Sequence, residues 1–190
     1  MNINSMSAKQ LRLRELSEQE FEIYTRIYTS PGSAAELNRL LQQQGIFEHY
    51  RQIHAEYVAL CSFKTERGVR NEALKRAVFL GWYSELEPAS FTGLADLWED
   101  KITEAYFALN RVIDKGWVSE ELGWMLAHYA RWEWIILQHT ENRIHAVTGW
   151  IKSINPDTAI LPPGTLPRGV MDNRGLMGLY FKEMGVEQAQ

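Results

Sequence analysis

The sequence predicts an all-α protein, an irregular single-domain helical bundle of about six to eight helices with a Pro/Gly-rich loop and a short C-terminal helix. Three observations predict it. Ser-x-x-Glu capping signals recur along the chain. Apolar residues return at three- and four-residue spacing over long stretches. No Asn-Gly or Asp-Gly pair separates alternating apolar runs, so no tight hairpin is signalled. The 190 residues suffice for one domain with a substantial core and are few for two. Residues 1–190 therefore read as one helical domain, with 1–16 a flexible N-terminal arm and 155–190 an irregular C-terminal arm.

Each element has its own signal. Ser17 and Glu20 read as a capping box that opens a helix running to about Tyr28, and Pro31-Gly32 breaks it. Ser33 and Glu36 repeat the box before Leu37, Leu40 and Leu41, and Gly45 ends that helix. A third spans Ile46 to Phe63. Residues 67–72 read as a polar connection. The helix from about Asn71 to Leu86 stops before Pro88, and Leu74, Ala77, Val78, Phe79, Leu80 and Trp82 take up most of its circumference. Such a pattern predicts a central helix buried on all sides. Leu94 to Asp114 is the clearest amphipathic stretch, with Gly116 as its C-terminal stop. Ser119 caps one helix running from Glu120 to His139, and a shorter one follows from Glu141 to Ile154. Pro156, Pro162, Pro163 and Pro167, with Gly164 and Gly169, make an extended loop. The last helix, about Asn173 to Met184, is weakened by Gly175 and Gly178. Its apolar residues, among them Leu176, Met177 and Phe181, are expected to pack back on the core; the alternative is a homo-oligomer contact through this arm.

Composition excludes several classes. Cys61 is the only cysteine, so no internal disulfide can form. The most apolar stretch, Trp132 to Leu137, is far short of the roughly 20 residues that span a bilayer. The N-terminus has no apolar signal region, so a cytoplasmic protein without membrane contact is expected. Charge is unevenly spread: residues 77–150 hold 11 acidic residues against 5 basic ones, a net of −6. Nucleic acid requires a basic footprint, so none is expected as a partner.

Catalytic and metal signatures are weak. No His-Glu-x-x-His or Glu-x-x-His occurs, and His128 and His139 would lie roughly 16 Å apart on one helix. Glu141 and His145, four apart, read as a surface pair. No metal and no cofactor are expected. Cys61 lacks a positioned base and reads as a buried thiol. The loop Gly164 to Gly169 has no Gly-Lys-Ser/Thr ending and reads as a plain loop.

Two readings of function follow. All seven Trp (82, 98, 117, 124, 132, 134, 150) fall within the acidic segment. Two positions apart on a helix means about 200° around its axis, so Trp132 and Trp134 cannot both face the core. An exposed Trp beside carboxylates makes a protein-binding hot spot. The leading reading is a non-enzymatic binding protein, of immunity-protein or small-adaptor type. Trp134 with Glu85, Glu87, Asp96, Glu99, Asp100 and Glu104 would engage a basic protein partner. The alternative is a small helical enzyme or ligand binder with an aromatic-lined pocket. There Glu133 and His54, each polar among apolar helical neighbours, would meet inside as an acid–base pair.

Overall fold

The computed structural model describes residues 6–62, 64–155 and 164–188. Among them the chain is helical throughout apart from its connections: α1 (Ala8–Thr29), α2 (Ala34–Gln43), α3 (Ile46–Leu60), α4 (Arg67–Leu86), the short α5 (Ala89–Thr92), α6 (Glu99–Asp114), α7 (Glu120–Tyr129), a 3-10 turn (Ala130–Trp132), α8 (Glu133–Thr140), α9 (His145–Ser153) and α10 (Gly175–Glu183). The all-α class is thus observed. The prolines at 156, 162 and 163 lie outside the described residues. The rest of that loop pairs with the chain's end. Gly164 N–H donates to Gly185 O, Leu166 N–H to Val186 O and Gln188 N–H to Leu166 O.

Helix α4 is the axis. Every residue from Ala73 to Trp82 is buried, and α1, α3, α6, α8 and α10 all pack against it. Phe79, Trp82 and Tyr83 gather the rings of His128, Tyr129, Tyr180 and Phe181, with Trp132 edge-on to Trp82. Offset and edge-on ring pairs of this kind each add about 0.5–1.5 kcal/mol beyond area burial. The C-terminal arm packs on its own chain. Leu176, Met177 and Phe181 are buried in the common core, and α10 lies across α1 and α4.

Several local signals act as the sequence implies. Ser33 and Glu36 form a complete capping box, and Ser119 accepts from Leu122 N–H. Gly116, with φ +64°, closes α6 with paired bonds from Gly116 N–H to Ile113 O and Trp117 N–H to Val112 O. Three expectations are corrected. First, α1 starts at Ala8 under a capping box of Ser7 and Gln10. Leu16 is fully buried, so residues 8–16 are part of the bundle and not a flexible arm. Ser17 and Glu20 lie inside that helix and turn inward. Second, residues 67–70 form the first turn of α4, and Leu94 to Trp98 is a connection whose Leu94 and Leu97 are buried. Third, the helix expected over 120–139 breaks at Trp132, whose φ −126°, ψ 53° lie off the helical region. The ring of Trp132 packs against Trp82 and His128, with Arg131 over its face. Tertiary packing of one ring overrides a continuous apolar pattern.

The two glycines of α10 are close-approach residues. Gly175 has φ +59°, and a Cβ there would collide with the carboxylate of Glu20. A Cβ on Gly178 would collide with the carbonyl of Met171. Gly175→Ala is therefore expected to destabilise the protein by about 2–4 kcal/mol, through the left-handed φ and the overpacked contact. Gly149→Ala in α9, where nothing lies within 4 Å, is expected to be neutral or stabilising by up to about 1 kcal/mol. Urea unfolding of the two variants checks both. Equal costs would contradict the packing described.

Candidate functional site

The acidic face is built from three segments. Glu85 and Glu87 sit where Pro88 ends α4, Asp96 occupies a turn at φ 47°, and Glu99 and Asp100 form the first turn of α6, with Glu104 one turn on. Carboxylates in a first turn face the positive end of the helix dipole. All six are exposed. Some are partly neutralised: Glu104 accepts from Lys101 at 2.7 Å, Asp96 lies 4.0 Å from Arg51, and Glu99 accepts from His139 Nδ1 at 3.0 Å. Among the described residues Glu85 and Glu87 join no ion pair. Glu85 and Glu99 both raise the pKa of buried Tyr106, after burial itself, so carboxylates from the end of α4 and the start of α6 act on one buried ring. Trp98 is 38% exposed and Trp134 is 55% exposed. Trp134 is carried by α8, which packs against both α4 and α6. Phe91 is also exposed, and sequence reasoning passed over it because α5 is too short to show a period.

The Glu133–His54 pair does not form. Glu133 opens α8 on the solvent side and is exposed. His54 is fully buried, and its Nε2–H donates to the carbonyl of Ala77 at 3.2 Å. Burial lowers the His54 pKa to about 4. The break at Trp132 is the reason: α8 starts a new helix, so positions beyond 132 no longer continue the apolar face of α7. His128 bonds Tyr180 Oη at 2.8 Å, and burial with the charge of Arg131 lowers its pKa to about 4. Burial pushes the Cys61 thiol up to about 12, which makes it inert as a nucleophile at neutral pH.

A second site, absent from the sequence reading, lies where α1, α3, α4 and the C-terminal arm meet. Arg76 is 4% exposed. Its Nε donates to Glu72 Oε1 (2.9 Å), its Nη1 to Ser17 Oγ (2.5 Å) and Leu13 O (3.1 Å), and its Nη2 to Asn173 O (3.1 Å). Arg174 forks onto Glu72 at 2.8 and 2.5 Å and also reaches Glu121. Lys75 joins Glu72 at 3.1 Å and Glu121 at 2.5 Å. Burial alone would raise the pKa of Glu72, but the fork from Arg174 and the charges of Arg174, Arg76 and Lys75 hold it well below the usual carboxylate range. Beside this cluster is a cavity of about 490 Å³, lined by Arg14, Ser17, Phe21, Asn173, Gly175 and Lys182 among others. The only sequence signal was two cations, Lys75 and Arg76, inside an otherwise apolar helix.

Among the described residues no group of three or more His, Cys, Asp or Glu side chains is placed to hold a metal ion, and no helix is long and apolar enough to cross a membrane. Searches against protein-family models, curated proteins and solved structures find no match for this chain.

Removing one member of a buried ion cluster leaves the others uncompensated. Arg76→Ala is expected to lower the unfolding free energy by about 3–5 kcal/mol. Arg14→Ala, which removes an exposed i,i+4 pair with Glu18, is expected to leave it near the parent value. Urea unfolding measures both, and a small loss for Arg76→Ala would show that the cluster is peripheral to stability.

Proposed function

We propose that the chain is a non-enzymatic, cytoplasmic protein-binding protein whose acidic, tryptophan-bearing face engages a basic protein partner. An inhibitor of immunity-protein type and a small adaptor are the two roles that fit. The observation that carries the reading is the contrast between inner and outer charge. The inner carboxylates Glu72 and Glu121 are each bonded to cations. Outside, Glu85, Glu87, Asp96, Glu99, Asp100 and Glu104 are exposed, and so in part are Trp98 and Trp134. An indole ring at the centre of a polar rim is the composition of a binding hot spot. Single-sign charge around it steers an oppositely charged partner and makes association salt-dependent.

The test is capture from the host lysate at low salt, comparing the parent chain with Asp96→Lys/Glu99→Lys/Asp100→Lys and with Trp134→Ala. A basic protein retained near one to one by the parent is expected to be lost by the triple variant. It is expected to bind Trp134→Ala at least tenfold more weakly, with the salt slope kept. A partner held equally by all three chains would overturn the assignment of the face.

A further inference from the structure

Glu20 is a buried titratable group that neither the capping signals nor the acidic face accounts for. It is 1% exposed and sits in the middle of α1. Its Oε2 accepts from Leu176 N–H at 3.1 Å, in the first turn of α10. Its Oε1 accepts from Tyr57 Oη–H at 2.5 Å, and Tyr57 Oη in turn accepts from Arg76 Nη1 at 3.3 Å. One residue before Leu176, Gly175 lies against the same carboxylate with no Cβ between them. Next to it the carbonyl of Asn173 is held by Ser17 Oγ at 2.7 Å and by Arg76. Asn173 and Gly175 both have positive φ, 56° and 59°. The arm therefore enters α10 through two left-handed residues fastened from α1. Ser17, Asn173 and Gly175 also line the cavity of about 490 Å³, so solvent lies one residue away from the buried carboxylate.

We propose that this contact is a proton-linked latch, in which the ionisation of Glu20 sets whether the C-terminal arm is docked on α1 or released.

Two demands oppose each other at Glu20. The hydrogen bonds suit the ionised form, because both oxygens accept and Tyr57 has Arg76 as its own donor. When Glu20 carries a proton, that hydrogen and the Tyr57 hydroxyl hydrogen compete for one short gap. Burial opposes ionisation, and it wins: burial pushes Glu20 up to about 7, against the lowering effects of Tyr57, Arg76 and Leu176 N–H. The other groups facing the site are few. Tyr50 and Tyr57 come from α3, and Arg76 comes from α4 with Glu72 behind it. The start of α10 offers backbone N–H and no titratable side chain. Neighbouring Arg174 is engaged by Glu72 and Glu121, and α5 (Ala89–Thr92) carries no charge.

The sign follows from linkage. Docking buries the carboxyl and raises its pKa, so the proton favours the docked arm. Between the ordinary carboxyl value of 4.5 and about 7 release of the arm gives up this proton, so docking weakens as pH rises through that window and is level above it. Release at the alkaline side would expose Leu176, Met177 and Phe181, which are buried in the docked state.

Hydrogen exchange of the full chain from pH 4 to 8.5, corrected for intrinsic rates, tests this on the amides of 175–183. Protection in the parent is expected to be highest near pH 4, to fall by up to tenfold per pH unit between about 4.5 and 7, the slope for one proton, and to level off above about 7. Glu20→Gln keeps the shape and cannot ionise, so its protection is expected to be flat. Tyr57→Phe keeps the titrating group and removes a bond that favours its charge, so the fall is expected to continue to higher pH before it levels off. It also keeps the test open if Glu20→Gln does not fold. Flat protection in the parent, an equal slope in Glu20→Gln, or an unmoved midpoint in Tyr57→Phe would each overturn the latch.

Discussion

Burying helix α4 on all sides while two of its residues are cations is the constraint from which the rest of the structure follows. Lys75 and Arg76 sit within the run Ala73–Trp82 that has no exposed face. A lone buried charge is too costly to persist, so carboxylates must come to it. Glu72 comes from the preceding turn and Glu121 from α7. Each then also holds Arg174, from the C-terminal arm. Arg76 also reaches Leu13 O and Ser17 on α1. One cluster thereby ties α1, α4, α7 and the arm. Its other end leads through Tyr57 to Glu20 and the start of α10.

This dependence explains what was legible in the sequence. The all-α class, the buried axis at α4, the stops at Gly116 and Pro88 and the caps at Ser33 and Ser119 are local events. Each is set by residues within a turn of one another, and each was readable. Ser17 and Glu20 show the limit. A Ser and a Glu three apart are a capping box at a helix start, and the same spacing inside a helix puts both on one face. Only the nine residues of helix before them decide which, and those begin under Ser7 and Gln10. The break at Trp132 is a second case. Apolar residues continue through it, so the period gave no warning; the ring's place against Trp82 and His128 sets it. The pairing of Glu133 with His54 depended on that helix being continuous, and it failed for that reason.

The acidic face was legible because exposure of charge is the ordinary outcome for carboxylates on an amphipathic helix. What such carboxylates would bind was not, because complementarity belongs to a second molecule. The inner cluster was illegible for the opposite reason. Residues 20, 72, 121 and 174 are brought together only by the packing of three helices and an arm, and no spacing in the chain records it. Inner charge met by opposite charge and outer charge exposed to solvent are two solutions to the same electrostatic cost. The first fixes how the helices sit.

The central claim is that the arm and the axis are coupled through charge. A double-mutant cycle tests it most directly, with unfolding free energies measured for Glu72→Gln, Arg174→Gln and the pair together at one pH. Direct coupling predicts an interaction energy of about 2 kcal/mol or more, because either single variant already loses the Glu72–Arg174 fork and the double variant cannot lose it twice. Costs that add within about 0.5 kcal/mol would contradict it, and would mean that the arm is held by its apolar residues alone.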